Sequence, residues 1–401
     1  MDIVITNVYC YLNKGDAGIV IAMLENIKKI APDSNVKIIS LYPDIDLGKY
    51  DPDVEVIPSP MLVDRKHTGI RKFLGNLRCF LRLKKDLKSG VLNAAESAIK
   101  NSDIVISCGG GYMQSFNLKY FYSDFIYHYS QLYVANFFKR PYYIFAQTVG
   151  PFSKLCQHLA SPIINGANAV LAREEVSYDY VNKHFNNSNV MLTSDVAFLL
   201  EPKEVKFPID KNKKNVGITL REWSFPNQPN ASKLMKKYED SVIEFIDWLA
   251  NKGYTVYLMP QCIGPGPDND LIISNRVYSK VNKGNVILVD EDLTPGQLKF
   301  LYGQMDYFVG TRMHSNIFAL GEEVPCLAIS YDPKTDGIMA LFGLSDYVVD
   351  INSIDYEKLV DTFEKILVNE GEVKEKISLK LTDIKQDAIE NFKKVLGNEK
   401  N

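Results

Sequence analysis

Two short apolar runs of this sequence each lead into cationic side chains. Tyr307–Val309 is followed by Arg312 and His314, and Val216–Leu220 is followed by Arg221. A guanidinium forms paired hydrogen bonds with a carboxylate or a phosphate, and an imidazole exchanges a proton near neutral pH. These residue types predict a site that binds a small, doubly charged anion and handles it with acid–base chemistry. For each arginine, a structural ion pair is the alternative interpretation.

The residues around Arg312 predict where such a site would lie. Tyr307–Val309 is typical of a buried strand that ends at Gly310, and Ser315–Leu320 is typical of a short helix. In proteins with parallel sheets, ligands bind at the carboxyl ends of the strands, and the free N–H groups at a helix N-terminus attract anions. We therefore expect Gly310 and Ser315 to lie at the anion site.

His314 stands out among the five histidines of the chain. His67 lies in a basic segment, and His128, His158 and His184 lie in predicted helices, where a histidine is usually a surface or packing residue. A lone histidine is more often structural than functional, but His314 follows a strand end beside an arginine. This context favours a role for His314 in proton transfer.

The overall composition argues against several classes of protein. The 401 residues allow two or three domains with large cores, and a net charge of −3 gives no global tendency to bind nucleic acid. Six cysteines without a C-x-x-C pair fit buried thiols in a reducing cytosol better than disulfides. Because histidines and cysteines do not cluster, no metal site is predicted. The sequence starts with a strand-like segment and shows no signal-peptide core or membrane span, which predicts a cytoplasmic protein.

Strand-like and helix-like segments alternate along most of the chain, as in proteins with parallel sheets. A polar stretch with two prolines and five lysines, Glu201–Asn215, interrupts this alternation and is typical of a linker. We predict an α/β fold with two doubly wound lobes facing a cleft. Its predicted parts are a first lobe at 1–202, a linker at 203–214, a second lobe at 215–380 and a final helix at 381–401 that packs back on the first lobe.

Polar residues and glycines recur at the ends of the predicted strands in the first half. Asp16 is the predicted N-cap of a helix at Ala17–Ile30, and Gly109–Gly111, Gln114 and Gln147 follow later strands. Three glycines after a strand allow the backbone to approach a ligand closely. The glycines on either side of Asp16 lack the full G-x-G-x-x-G pattern, so a tight turn is as good an interpretation there as a phosphate site.

The segment Arg65–Lys88 differs in composition from its surroundings. It includes nine Lys or Arg residues and a single acid, Asp86, with apolar residues at close to helical spacing between them. A basic amphipathic helix is typical of proteins that lie on an anionic membrane surface. The alternative is a helix that packs by its apolar side and exposes its basic side to solvent. The sequence leaves both interpretations open.

Four blocks of sequence carry a resemblance to a known family. They are NKGDAG near the start, SCGGG with QTVGPF in the first half, TLREW at the start of the second half, and GTRMHSNIFAL followed by VPCLAISYDPK. In these blocks the chain resembles the polysaccharide pyruvyl transferases, which have a GT-B-like fold of two Rossmann-like lobes. The last block is the most specific, because a G-x-R-x-H strand end before a small-residue helix is uncommon. One departure is Ala17, where the family often has an acidic residue.

The resemblance implies transfer of pyruvate from phosphoenolpyruvate to two hydroxyls of a sugar, giving a cyclic ketal and free phosphate. It implies that Arg221 and Arg312 bind the anionic groups of the donor, with Gly310 and Ser315 beside them, and that His314 acts as general acid. No metal or other cofactor is needed in this scheme, because arginines can neutralise the phosphate. The first lobe would hold the acceptor through small and polar residues: Asp16, Gly109, Gly110, Gly111, Gln114 and Gln147.

Several alternatives stay open at this point. Asp16 and Asp195 are both candidates for the general base toward the sugar. The acceptor is either a lipid-linked glycan at the inner face of the membrane, which would suit the basic segment, or a soluble nucleotide-linked sugar. A glycosyltransferase of the same fold would use a nucleotide sugar, but the sequence shows no clear base-and-ribose site. A two-lobed solute binder is a further class, and the lack of a signal peptide counts against it.

Overall fold

The structure is a computed structural model that describes residues 1–226, 228–264 and 268–397, with Lys283 described by its backbone alone. The chain divides into two units. Unit 1 comprises Met1–Tyr11, Ile19–Val196 and the chain from Gln386 onward, and unit 2 comprises Leu12–Gly18 and Ala197–Lys385. Each unit is built around one β-sheet, so we describe each by itself.

The sheet of unit 1 is parallel and doubly wound. Its strands are β1 (Asp2–Val8), β2 (Asn35–Ser40), β3 (Glu55–Pro58), β4 (Ile104–Ser107), β5 (Gly110–Ser115), β6 (Tyr142–Phe152), β7 (Ala169–Ala172) and β8 (Val190–Leu192). Their order in the sheet is β3-β2-β1-β4-β6-β7-β8, and β5 pairs with β6. The direction of winding reverses between β1 and β4, and sheets of this type bind ligands beyond the strand ends at such a switch point.

Strands β1 and β4 lie in the interior because each contains a continuous apolar run, Ile3–Ile5 and Ile104–Ile106. Ile3 pairs with Ile104, and Ile5 pairs with Ile106, in a parallel register. All four side chains are fully buried. A strand that is apolar on both faces must be covered on both, and helices on either side of a parallel sheet provide that cover.

The sheet of unit 2 is also parallel and doubly wound. Its strands are β9 (Asn215–Thr219), β10 (Thr255–Leu258), β11 (Val286–Leu288), β12 (Tyr307–Gly310), β13 (Cys326–Ser330) and β14 (Val348–Asp350). Their order is β11-β10-β9-β12-β13-β14, so the switch point lies between β9 and β12. The prediction of two Rossmann-like, doubly wound α/β units is confirmed.

Helices connect the strands in both units, as the alternating pattern predicts. They are α1 (Lys14–Ile30), α2 (Pro43–Asp46), α3 (Gly69–Ser89), α4 (Ala94–Asn101), α5 (Leu118–Tyr120), α6 (Ile126–Phe137), α7 (Lys154–Asn165), α8 (Glu175–His184), α9 (Ala231–Asn251), α10 (Asp270–Tyr278), α11 (Pro295–Tyr302), α12 (Met313–Gly321), α13 (Pro333–Leu341), α14 (Tyr356–Val368) and α15 (Glu370–Gly397). A π-helical turn at Phe121–Phe125 links α5 to α6, and short 3-10 turns occur at Val196–Leu199, Lys283–Asn285 and Ser345–Tyr347.

The start of α1 corrects one prediction. The helix begins at Lys14, so Asp16 lies in its first turn and is not the N-cap. The carboxamide oxygen of Asn13 accepts the backbone N–H of Gly15 at 3.2 Å, which is the role expected of a cap. Asn13 also donates to the Asp16 carboxylate at 2.6 Å. Asn and Asp are equally good caps, so residue type alone favoured Asp16 no more than Asn13, which was not considered.

The helix α15 belongs to both units. Its residues up to Lys385 lie in unit 2, and the residues from Gln386 lie in unit 1. In unit 1, Phe392 is fully buried with its ring 4.6 Å from that of Phe145, and Asn391 donates to the hydroxyl of Thr193 at 2.8 Å. Phe392 and Asn391 of α15 therefore form part of the core of unit 1.

Among the described residues, no helix combines the length and the apolar composition that a membrane crossing requires.

Candidate active site

Hydrogen bonds join the ends of β9 and β12 at the switch point of unit 2. Thr219 pairs with Gly310 in the parallel register. The backbone N–H of Thr311 donates to the Thr219 hydroxyl at 3.0 Å, and the Thr311 hydroxyl donates to the Thr219 carbonyl at 2.8 Å. The Thr219 hydroxyl also lies 2.8 Å from that of Ser315. These buried bonds fix the positions from which Arg221, Arg312 and His314 project.

Arg312 lies in a buried ion pair with Asp270. Its Nε donates to both carboxylate oxygens at 2.9 and 2.8 Å, and its Nη2 donates to Oδ1 at 2.7 Å and to the Asp268 carbonyl at 3.0 Å. Burial lowers the pKa of the Arg312 guanidinium, but the carboxylate of Asp270 outweighs that effect and raises it above its ordinary value. Within the described residues, Nη1 makes no hydrogen bond, so it is the nitrogen left for a ligand.

Asp270 also accepts hydrogen bonds from the backbone around it. It is fully buried and accepts the backbone N–H groups of Gln261 at 3.1 Å and Cys262 at 2.8 Å. The ion pair that was the alternative interpretation for Arg312 is therefore present. The donor-binding role of Arg312 stays a prediction, now limited to the free nitrogen.

Arg221 is less constrained. Its guanidinium lies 4.4 Å from the ring centroid of Tyr331 and 5.1 Å from that of Trp223, and its Nη2 donates to Asp268 at 2.9 Å. Its side chain is 16% exposed, and the Asp268 side chain is 59% exposed. Its Nε has no hydrogen-bond partner among the described residues. Aromatic faces hold the guanidinium plane without using its hydrogen-bonding edge, so Arg221 remains able to bind an anion.

Asp268 connects the two arginines. Its carboxylate accepts from Arg221, and its carbonyl accepts from Arg312. The structure thus brings together two cationic side chains that lie far apart in the sequence, as the strand-end argument predicted.

His314 lies in the first turn of α12, whose N-cap is Arg312. The backbone of Gly15 packs against its ring, because a Cβ atom at Gly15 would lie 2.6 Å from His314 Nδ1. Lys14 holds this part of α1 in unit 2, since its backbone N–H donates to the Gln261 carbonyl at 3.0 Å and its ammonium contacts Asp292 at 2.6 Å. A side chain at residue 15 would displace the imidazole, so this glycine allows the close approach.

Three residues of this site were missed by the sequence analysis as site residues. Trp223 and Tyr331 flank Arg221, and both lie in the motif blocks TLREW and VPCLAISYDPK. Asn316 donates to the carbonyls of Gly310 at 3.2 Å and Arg312 at 3.3 Å, which fixes the turn between β12 and α12. A Cβ atom at Gly310 would clash with Asn316. For Trp223 and Tyr331, an aromatic residue shortly after a strand end was the signal available in the sequence.

Of the residues predicted for the acceptor, Gly109 follows β4 and Gly110 begins β5, but Gln147 lies within β6 and does not follow a strand end, because β6 continues to Phe152. Gly110 pairs with Gln147 across β5 and β6, and Gln147 is fully buried, with its Nε2 donating to the Cys108 carbonyl at 2.6 Å. A Cβ atom at Gly109 would lie 3.1 Å from the Ala146 carbonyl. Gly111 and Gln114 follow along β5, where both are half-buried. Strand β5 itself was not predicted, because its sequence, GGYMQS, contains no β-branched residue.

The two candidate bases have different surroundings. Asp16 lies in Leu12–Gly18, which belongs to unit 2. Asp195 is buried in an ion pair with Arg173 at 2.6 Å, and Arg173 also donates to Thr148 at 2.9 Å. A carboxylate held this way stabilises unit 1. Of the two candidate bases, Asp195 is buried and Asp16 is half-exposed.

Comparison with known proteins agrees with this architecture. MnaA of S. aureus, solved with UDP, superposes with a TM-score of 0.58 at 11% identity, covering 99% of this chain and 97% of that one. UDP-GlcNAc 2-epimerase from Neisseria meningitidis, solved with UDP-GlcNAc, gives 0.55 at 11% identity over 99% and 100%. The glycotransferase of kitacinnamycin gives 0.56 at 12% identity over 98% of both chains. These similarities show a GT-B-like fold.

Sequence comparison is more specific. The amylovoran biosynthesis protein AmsJ of Erwinia amylovora is 23% identical over 394 residues, which cover 91% of this chain and 92% of AmsJ. The family model for polysaccharide pyruvyl transferase matches residues 13–333. That range contains β9, β12 and the whole arginine–histidine cluster. The chain belongs to the polysaccharide pyruvyl transferase family, and it is a transferase of polysaccharide biosynthesis.

Proposed function

We propose that the chain moves the pyruvyl group of phosphoenolpyruvate onto two hydroxyls of one sugar, forming a cyclic ketal and releasing phosphate. The observation that supports this most directly is Arg221, whose guanidinium is stacked on Trp223 and Tyr331 beside Arg312. Two adjacent guanidinium groups suit a donor that carries both a carboxylate and a phosphate. A nucleotide-sugar glycosyltransferase is the alternative function.

In this proposal, unit 2 binds the donor. Arg221 and the free Nη1 of Arg312 neutralise its two anionic groups. The backbone N–H groups at the start of α12, with Gly310 and Ser315 beside them, add further positive potential. In this scheme the charges are neutralised by protein groups alone, without a cofactor.

His314 acts as general acid, either at the methylene carbon of the enol or at the departing phosphate. Protonation of the methylene carbon makes the neighbouring carbon cationic, and a sugar hydroxyl attacks it. A second hydroxyl then displaces phosphate and closes the ring. The two sugar hydroxyls each lose a proton. One of these protons compensates for the proton added to the methylene carbon, and the other leaves with phosphate.

Unit 1 carries the acceptor in this proposal, through Gly109–Gly111, Gln114 and Gln147. These residues are uncharged, which suits the hydroxyls of a sugar ring, and Gly111 and Gln114 are the half-buried members of the set. Asp16, which follows Gly15 in the sequence and is half-exposed, is the favoured base toward the sugar. We propose a lipid-linked sugar at the inner face of the membrane as the acceptor, and a nucleotide-linked sugar is the alternative.

Donor binding tests the proposal. Titration calorimetry with phosphoenolpyruvate is expected to show binding to the unaltered protein and a loss of about 30-fold or more in Arg221→Ala, since removing one partner of a hydrogen-bonded charge pair costs about 2–5 kcal/mol. Arg221→Lys is expected to recover only part of the affinity, because an ammonium cannot form the paired bonds of a guanidinium.

Lys236→Ala is a matched control, because this residue lies in unit 2 with a side chain that is 78% exposed. It should bind phosphoenolpyruvate as the unaltered protein does. Equal affinity in Arg221→Ala would move the donor away from this site. Binding of a nucleotide sugar, without binding of phosphoenolpyruvate, would support the glycosyltransferase.

A further inference from the structure

Helix α3 (Gly69–Ser89) in unit 1 leaves a row of apolar side chains uncovered. Ile70, Leu74 and Leu81 are 67%, 42% and 56% exposed. These three side chains follow each other along one line of the helix surface, and the described residues do not bury them. Isolated exposed leucines are common in proteins, but an aligned row of three beside charged residues is typical of a docking surface.

This row is not the side by which α3 packs in unit 1. The buried residues of the helix are Asn76, Phe80, Leu83 and Leu87. Phe80 lies edge-to-face with Tyr129 and Tyr133 of α6, and Asn76 donates to the Tyr127 hydroxyl at 2.7 Å. The helix therefore has two apolar sides, one that anchors it and one that is available.

Basic residues run beside the exposed row. At about 100° per residue, the three exposed apolar residues lie within about 40° of each other around the helix axis. The next sector of about 60° holds Arg71, Arg78, Arg82 and Lys85, all of them exposed. The buried side chains lie on the opposite side of the helix. The two rows thus form one surface with an apolar half and a cationic half.

Little negative charge opposes this surface. The helix contains seven Lys or Arg residues and one acid, Asp86, which lies 3.5 Å from Arg82. On the packed side, Lys72 contacts Asp124 at 3.3 Å, and the ammonium of Lys84 lies over the rings of Phe80 and Tyr133. The side chains of the exposed cationic row are therefore available to contact an anionic partner outside the protein.

We propose that α3 docks the protein on a membrane surface rich in anionic lipid. Ile70, Leu74 and Leu81 enter the boundary between headgroups and acyl chains, and the cationic row contacts lipid phosphates. The structure thereby favours one of the two interpretations that the sequence left open. The docking depends on α3 alone and not on the donor chemistry, so its failure would leave the proposed pyruvyl transfer untouched. If the acceptor is lipid-linked, docking brings unit 1 to the acceptor.

Vesicle binding by the full chain tests the proposal. The protein is expected to sediment with vesicles of mixed phosphatidylglycerol and phosphatidylcholine and to stay in solution with phosphatidylcholine alone. Each basic residue near an anionic surface contributes roughly a fivefold factor in affinity. The variant with Arg71→Glu, Arg78→Glu, Arg82→Glu and Lys85→Glu should therefore lose at least about 100-fold.

A second variant tests the apolar row. With Ile70→Ser, Leu74→Ser and Leu81→Ser, binding should persist at low salt and be released by high salt, because only the screened electrostatic part remains. A matched charge control replaces four exposed lysines on α14 and α15 with Glu: Lys358, Lys365, Lys393 and Lys394. It changes the net charge by the same amount and should keep vesicle binding.

Three results would overturn the proposal. The first is no binding of the unaltered protein to anionic vesicles. The second is an equal loss in the charge control, which would indicate a global charge effect. The third is a dimer in analytical ultracentrifugation that the apolar variant abolishes, because a second copy would then cover the row. Circular dichroism of each variant checks that these exposed substitutions leave the fold intact.

Discussion

Asp270→Ala is expected to destabilise unit 2 by about 3–5 kcal/mol, because it leaves the buried guanidinium of Arg312 without its counter-charge. Asp270 is fully buried and receives the Nε and Nη2 bonds of Arg312 together with two backbone N–H groups. The substitution removes the acceptor for all of these donors at once. Urea unfolding followed by fluorescence measures the change in the free energy of unfolding.

Asp268→Ala is the matched control for this prediction. Asp268 contacts the same two arginines through its carboxylate, but its side chain is 59% exposed. Exposed ion pairs contribute about 0–1 kcal/mol, so this variant should unfold close to the unaltered protein. An Asp270→Ala effect below about 1 kcal/mol would mean that water reaches the guanidinium and that the pair is not buried in solution.

The ion pair also affects how arginine variants are interpreted. Arg312→Ala would leave the Asp270 carboxylate buried and unpaired, so a loss of activity in that variant combines destabilisation with any loss of donor contact. Among the described residues, Arg221 has no such buried partner, since its ion pair is with the exposed Asp268. It is therefore the better residue for locating the donor.

His314→Gln is expected to lower kcat by about 10²- to 10⁴-fold, which is the usual contribution of a positioned general acid. Glutamine keeps much of the size and hydrogen-bonding capacity of histidine but cannot deliver a proton. Phosphoenolpyruvate binding and unfolding should change little. Release of phosphate from phosphoenolpyruvate, measured with a panel of lipid-linked and nucleotide-linked sugars, gives the rate.

His158→Gln serves as the control, because His158 is exposed on α7 of unit 1. It should release phosphate at the unaltered rate. If His314→Gln retains full turnover while Arg221→Ala loses it, the site is correct and another group supplies the proton. Loss of phosphoenolpyruvate binding in His314→Gln would assign this residue to donor binding instead.

The sheets and the place of the site were predictable from local sequence. β-Branched runs such as Ile104–Ser107 have few alternatives to a buried strand, and residues directly after such runs must lie at one edge of a parallel sheet. That argument placed Arg221, Arg312 and His314 at strand ends on the carboxyl edge of a parallel sheet, and the structure shows that this is the switch point between β9 and β12. It needed no information about which residues they contact.

Tertiary partners were not predictable in the same way. Asp270 lies 42 residues from Arg312, and only the packing of α10 against the strand ends brings the two together. The stacking of Arg221 on Tyr331 also joins two residues that lie far apart in the sequence. For α3, helical spacing revealed apolar and basic residues, but which apolar side is buried depends on where α6 lies.

The course of α15 has a consequence for biosynthesis. The 189 residues from Ala197 to Lys385 are made after the first part of unit 1 and before its last part. At about 5–20 residues per second, this delay is roughly 10–40 s. Throughout it, Phe145 lacks the ring of Phe392 that later packs against it. A nascent chain that stops after Lys385 would contain all of unit 2 but an unfinished unit 1, so unit 1 can complete its core only after unit 2 has been synthesised.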